Sequence, residues 1–536
     1  MSEPYLVQMG RWVADLDYEN IPPDSVRAAR YQVLNMVAAL HGAARSHETA
    51  SIAAGIGGFS LGQGRSTALA TGTRHAPHEA VLSNACYSMA QDFDDIVWMG
   101  HTCHSAVFAS LAIAEHEGTD TQTFLSAVVA ANEIGGRLGA SSILGPLNGQ
   151  MWTFIHLIGA SAAAARILRL TAEQATHAMA IALSQPNFAL QPGFMVPTSK
   201  LLSAALPAAT GIQAAYFARA GMTGAPDIIE DRRGFWKRFS YVPLPSMMGG
   251  LGDFWVMQTL AVKTVPGCHY FQTACSAIDE IERRRGRIDP KRIRRVKAGT
   301  TKLGLEATKF ASEYSRSTGT VMPVNVNFDL AVTIAIRLLV GRLTSEQMYP
   351  EWLAERTSDI RHLASQTIVT HEPALTLKTI GSLRAAGAGR GALSAITPSD
   401  IPRLVRRYSE EYSSTLITPR EATGWIKAIA SMTRRRSTSA IPKRPSRSSI
   451  PLYFPNRVTV EFNDGATETA QVDLPAGSFC SPDMETELKE KFLRETVPVL
   501  GPQNAIKAFE TGLELESARL PDFIRLVSKQ QNSAVT

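Results

Sequence analysis

Cysteine is scarce in this chain of 536 residues, and its five copies (Cys86, Cys103, Cys268, Cys275, Cys480) are odd in number with no Cys-x-x-Cys pair. This argues against a disulfide framework and a zinc ribbon, and for a reducing compartment. Charge is thin at 19%, against 45% hydrophobic residues, the balance of a globular protein with a large core and not of a disordered chain. Long apolar runs are missing as well. Residues 138–165 and 174–199 contain no Asp, Glu, Lys or Arg, but Gly145-Pro146 interrupts the first, and Pro186, Pro192 and Pro197 the second. Neither reaches the ~20 continuous apolar residues of a membrane span. The N-terminus lacks the basic and apolar regions of a secretion signal and is not rich in Arg, so a cytoplasmic location is expected, with an organellar matrix left open. Neither a Gly-x-Gly-x-x-Gly fingerprint nor a Walker A motif is present, and no cofactor is expected. The formal charge of +6 is concentrated in two clusters, Arg283–Arg295 and residues 433–449, so no nucleic-acid face is implied.

The length implies two or more domains. From residue 5 to about 262 the pattern is helical almost throughout. Ile21-Pro22-Pro23-Asp24-Ser25 reads as a helix start, and Ala-rich segments recur at 106–115, 124–133, 160–168, 175–183 and 203–219. From 263 to 483 the texture is α+β. Residues 292–300, 366–370 and 457–462 favour β-branched side chains, and Asn463-Asp464-Gly465 is a turn leading into a returning strand at 470–474. Residues 484–536 are helical again and are expected to return to the first domain. The basic, Ser/Pro-rich stretch 433–449, inside a stretch at about 371–450 that reads as a flexible insertion, reads as a solvated loop.

What remains is one stretch dense in titratable groups. Residues 92–105 hold Asp92, Asp94, Asp95, His101 and His104 between two apolar helical segments, where burial at a core edge moves pKa values toward working pH. Three readings stand: an active-site loop, carboxylates capping one helix while His104-Ser105 opens the next, and a metal site. No second ligand pair stands out, and no metal is expected. His101 is the candidate acid/base, as imidazole changes charge nearest neutral pH.

Several stretches together resemble the MmgE/PrpD enzymes. Asp92-Phe93-Asp94-Asp95 looks like the family's acidic motif, with Asn84 in the preceding helix and His101 at the position of its His-Pro-Gly histidine. Gly159–Leu170 is similar to its Gly-Ala-rich helix, Ser199-Lys200-Leu201-Leu202 to its lysine segment, and Lys263-Thr264-Val265-Pro266-Gly267-Cys268 to its Lys-x-Tyr-Pro-x-Cys motif. Pro323–Leu330, Tyr314, Phe454–Val460 and Glu490-Lys491-Phe492 complete the pattern, which covers nearly the whole chain outside 371–450. Departures fall at Ile96 (usually Thr), Ser88 (often His), Thr102-Cys103-His104 (for Pro-Gly), Val265 (for an aromatic) and Gln150, the residue nearest a family histidine, with His156 further on.

The resemblance implies a mainly α fold, a large all-α helical domain with a smaller α+β lid domain, in a homodimer. It also implies a small di- or tricarboxylate substrate and proton transfer beside a carboxylate. Dehydration is the leading reaction, decarboxylation or epimerisation the alternative on the same scaffold, and a non-catalytic binding protein the alternative of another class. Implied catalytic residues are Asp92, His101, Lys200, Lys263 and Tyr314, with the two lysines as cations for substrate carboxylates. Asp95, Ile96, His104, Gln150, His156, Cys268 and His269 are implied as substrate-binding. His156, in an apolar helix, also reads as a satisfied core residue.

Overall fold

The computed structural model describes residues 3–146, 152–195, 198–315, 319–386, 396–412 and 451–530. Gln150 and the basic stretch 433–449 lie outside them, as does the side chain of Tyr314, whose backbone closes the helix Lys302–Ser315.

The proline pair at 22–23 starts a helix, Pro23–Ala44, with Pro23 in its first turn, where a missing N–H costs nothing. Nearly every side chain from Ser25 to Ala43 is buried, so this helix runs through the middle of the body. Around it lie the helices Pro77–Met89, Cys103–Glu117, Thr121–Ser141, Thr153–Ile167, Ala172–Ser184 and Leu202–Arg219. Their Ala and Gly content sets the spacing. A Cβ at Gly135 would sit 3.0 Å from the Ile155 carbonyl oxygen, so Thr121–Ser141 and Thr153–Ile167 approach backbone to backbone. Segment ends are punctuated locally: Gly118, at φ 68°, closes one helix, and the Asp120 carboxylate accepts from Thr123 N at 2.7 Å to open the next. Thr198–Arg219 is long and apolar enough to cross a membrane by composition, yet 61% of its apolar window is buried against the rest of the body.

Four short strands interrupt what reads in sequence as continuous helix. β1 (Ser66–Ala68) pairs with β2 (Thr73–His75), and β3 (Asp95–Ile96) pairs antiparallel with β4 (Ala261–Val262), Asp95 opposite Val262. Two- and three-residue strands are too short to carry an alternating pattern, which is why the sequence conceals them.

The expected strands are β5 (Ile293–Thr300), β6 (Thr367–His371), β7 (Asn456–Phe462) and β8 (Thr467–Val472), in one sheet ordered β6-β5-β7-β8. β5 runs parallel to β6 and antiparallel to β7, with Ala298 opposite Val458. Val296, Ala298, Val458 and Val460 face inward, while Arg294 and Lys297 reach outward to Glu461. Gly465, at φ 87°, makes the turn into β8. That strand begins three residues before the expected Ala470, because exposed Thr467 and Thr469 carry no apolar signal but pair with Glu461 and Thr459. The helix Gln272–Arg285 contributes Ile278 and Ile281 to the apolar layer under the sheet.

Buried apolar side chains form two main clusters. One gathers residues between Leu6 and Val262 together with Met484, Leu488, Phe492, Phe509 and Phe523 from the C-terminal helices Met484–Leu500, Pro502–Leu513 and Leu520–Val527. The other gathers Cys268 to Leu363 with Val458, Val460 and Phe462. The acidic stretch lies in the first cluster and touches the start of the second at Gly267-Cys268: Gly267 N donates to Asp92 O at 3.2 Å, and Cys268 N to Asn327 O at 2.8 Å.

Candidate active site

The stretch from Gln91 to Thr102 is a buried loop between the helices Pro77–Met89 and Cys103–Glu117. Its acids do not cap those helices: the second opens on Thr102, which makes no side-chain cap. Instead the chain turns sharply. Asp92 has φ 48° and Trp98 φ 59°, left-handed values that Asp tolerates better than most residues and that the surroundings must hold in a Trp. The hold comes from β4. After Val262 pairs with Asp95, Lys263 N donates to Asp94 O at 3.1 Å, and Lys263 Nζ reaches under the loop to Asp92 O at 2.8 Å.

The carboxylates then divide by partner. Asp92 pairs with Lys200, which arrives from the turn Thr198–Leu201 with Nζ 5.2 Å and 5.1 Å from the ring centroids of Phe194 and Phe328. The ring faces and the carboxylate together offset the cost of burying the ammonium. Asp94, fully buried, pairs with Lys263 through one oxygen; through the other it meets His101 Nδ1 at 2.6 Å and His104 Nε2 at 3.3 Å. Burial pushes the Asp94 carboxyl up, but Lys263 and His101 outweigh it and hold the group well below the usual carboxylate range. Burial lowers His101, with Asp94 pulling the other way, and the net is a depressed pKa and a neutral imidazole at pH 7. Since Nδ1 is held by Asp94, Nε2 is the nitrogen left to exchange a proton.

Asp95 points elsewhere. Its two oxygens accept from Gln32 Nε2 and Asn35 Nδ2, both at 2.9 Å, and burial pushes its carboxyl up to about 6. Asp95, expected among the substrate-binding residues, thereby ties the loop to the central helix. Gln32 in turn bonds Asn132, whose Oδ1 accepts from Thr102 Oγ1 at 2.5 Å, so both ends of the loop hang on one buried polar network. Gln32 and Asn35, absent from the expected set, are two polar residues in the mostly apolar buried run of this helix. Their i, i+3 spacing on one helix face was the available signal.

The remaining expected residues fall around this centre. His104 meets Ser88 Oγ through Nδ1 at 2.8 Å, lies 3.3 Å from Asp94 through Nε2 and is fully buried, whereas His101 keeps 7% exposure. His156 Nδ1 meets Ser105 Oγ at 3.0 Å and its ring stands edge-on to His104; burial holds its pKa well down. His269 stacks edge-on against Phe454, and neither ring nitrogen has a hydrogen-bond partner among the described residues; burial, then Lys263, hold it well down as well. Cys268 is buried, its thiol pushed up to about 12 by burial, and is no nucleophile at neutral pH. Ile96 sits in β3 with its side chain buried. Lys263, expected to meet a substrate carboxylate, is instead committed to Asp94 and Asp92 O, with Asp94 first among the charges that hold its pKa up against burial. Asp94, Cys103 and His104 bring potential metal donors within 4.8 Å of one another. The fit to a cation is poor, because Lys263 already neutralises Asp94, and burial, then Asp95 and Asp94, hold the Cys103 thiol well above its usual range.

A buried loop carrying two lysine–aspartate pairs and a neutral histidine, set in a bundle of Ala-rich helices, is the frame of an acid/base site. Residues 7–245 match the MmgE/PrpD N-terminal domain. Two cis-aconitate decarboxylases of Aspergillus terreus, one of them from strain NIH 2624 / FGSC A1156, are each 24% identical over 294 residues, covering 51% of this chain. The match spans 59% of each relative's length, less than two thirds.

Proposed function

We propose that the protein is a lyase that acts on a small di- or tricarboxylate by proton transfer at a carbon beside a carboxylate, using its own side chains. The observation that carries the reading is the Asp94 carboxylate, shared between Lys263 and His101 Nδ1 next to the Lys200–Asp92 pair. A substrate carboxylate enters beside Lys200, which keeps 7% exposure where Lys263 has none. His101 Nε2 exchanges the proton, and Asp94 stabilises the imidazolium that forms. Lys263 keeps Asp94 ionised for that purpose. His269, buried and unpartnered on both nitrogens, is a further donor to the substrate. The described part of residues 263–483 serves as a lid over the loop, its contacts beginning at Lys263 and continuing at Gly267.

Decarboxylation of an unsaturated tricarboxylate is the first reaction to test, on the strength of the relatives' names. There the bond to the departing carboxylate breaks, its electron pair stays on carbon, and carbon dioxide leaves. The charge delocalises toward the carboxylate at Lys200, and His101, neutral at rest, takes up a proton from solvent on Nε2 and delivers it to carbon. Dehydration of a β-hydroxy acid is the second reading, favoured by the depressed pKa of His101, which makes it a base at rest. The test is incubation in D₂O with cis-aconitate and a panel of hydroxy-di- and tricarboxylates, followed by NMR. Deuterium beside a carboxylate, lost in Lys200→Gln and His101→Gln variants that keep the fold, supports the reading, and the co-product chooses the reaction. Turnover unchanged in either variant overturns it, and thermal stabilisation by a substrate without turnover makes the protein a binding protein.

A further inference from the structure

A third lysine stands beneath the site and takes part in neither of its ion pairs. Lys491, on the helix Met484–Leu500, is 1% exposed. Its Nζ donates to Asn35 Oδ1 at 2.5 Å, to Phe93 O at 2.6 Å and to Lys263 O at 3.0 Å, and lies 3.7 Å from the centroid of the Phe93 ring. Among the described residues no carboxylate pairs with it. Burial pulls the Lys491 amine well below the usual lysine range, with Glu495 and Asp94 pulling the other way; the three acceptors match the three N–H groups of the ammonium and, with the ring face, favour that form.

The identity of the acceptors matters more than their number. Phe93 O is the carbonyl between Asp92 and Asp94, and Lys263 O belongs to the lysine that neutralises Asp94. Asn35, the third acceptor, itself donates to Asp95. One ammonium group therefore fastens the backbone of the acid loop to the segment that follows β4, and fastens both to the central helix. The direct β3–β4 contact is only two residue pairs long, too short to fix the loop alone.

We propose that Lys491 is a positioning residue, a cationic pin that sets the distance between the Asp92–Lys200 and Asp94–Lys263 pairs. What the pin serves rests on the acid/base reading above, whereas its mechanical role does not. An error of ~1 Å in such a set costs about 100-fold in rate, while Lys200 keeps its place for substrate binding.

The test compares wild type with Lys491→Met, which keeps most of the length of the side chain and removes its N–H groups, and with Lys491→Arg. Two amides report on the loop: Lys263 N, bonded to Asp94 O, and Gly267 N, bonded to Asp92 O. In Lys491→Met their hydrogen exchange is expected to rise about tenfold, a factor of ten in the opening equilibrium. Amides of the helix Thr121–Ser141 stay as in wild type. With cis-aconitate as the probe, kcat falls about 100-fold and KM changes by less than about threefold. Lys491→Arg, which keeps charge and donors, recovers most of both. Should Lys491→Met not fold, Lys491→Gln, which keeps one amide donor, is read at the same two amides. An increase confined to them supports the pin; no increase, or one spread evenly over the chain, overturns it. If wild type turns over none of the panel, the acid/base reading fails, and the amide exchange still decides the role of Lys491.

Discussion

Lys200 and Asp92 each stand buried because the other is there. Removing one partner of such a pair leaves an uncompensated charge at a cost of about 3–5 kcal/mol, whereas removing both is far cheaper. Asp92 is the more dependent of the two, fully buried with no hydrogen-bond partner for its second oxygen among the described residues, while Lys200 keeps the faces of Phe194 and Phe328. Lys200→Met is therefore expected to destabilise the fold more than Asp92→Asn. The double variant should lie closer to wild type than the two single losses added together. Urea unfolding of the three variants measures this, and simple additivity would mean that the pair does not couple. Neither variant that lacks Lys200 should turn over, since stability is restored in the double variant without the cation that meets substrate.

At the scale of elements, the tight points are where Ala-rich helices meet. Gly211, in Leu202–Arg219, faces the Leu157 carbonyl oxygen of Thr153–Ile167, and a Cβ there would lie well inside van der Waals contact with rigid backbone. Gly211→Ala is expected to push these helices apart at a cost of about 1–3 kcal/mol, the range for overpacking. Gly55→Ala, with open space at its Cβ position, should not destabilise. Thermal melts of both variants separate packing from helix propensity: equal shifts would refute the close approach. This level was the most legible in sequence. The proline start of the central helix, the β-branched runs of β5, β6 and β7 and the Asn463-Asp464-Gly465 turn are local signals, and each marks a real element. β3 and β4 are long-range and two residues long, so nothing local marks them, yet they bring Lys263 under Asp94. The same division runs through the site. Asp92, His101 and His104 share one loop and stand out by density, and Lys200 and Lys263 came from the resemblance. That Lys263 serves Asp94, and that Asp95 turns toward Gln32 and Asn35, depends on side-chain direction that spacing leaves undetermined.

For the whole molecule, the buried histidines tie the fold to pH. His41, on the central helix, donates through Nε2 to Val527 O at 2.7 Å and joins the C-terminal helix Leu520–Val527 to the body; burial pushes its pKa down to about 4. His101, His156 and His269 are depressed as well, each chiefly by burial. An unfolded histidine takes up its proton near pH 6.5 and folded His41 only near 4, so across that window the unfolded state binds more protons. Stability falls as pH drops from 6.5 toward 4. Asp95, held up to about 6, has the opposite sign: it favours the folded state as pH falls through 6. The net slope of the wild type therefore mixes the two, and a single substitution separates them. His41→Gln keeps a side-chain donor for Val527 O and removes the titrating group. Its free energy of unfolding by urea is expected to fall less than that of wild type between pH 7.5 and 5.5, by about 1.4 kcal/mol per pH unit below 6.5. Parallel curves would mean that His41 takes up its proton at the same pH in the folded and unfolded states, and its burial against Val527 would then need another description.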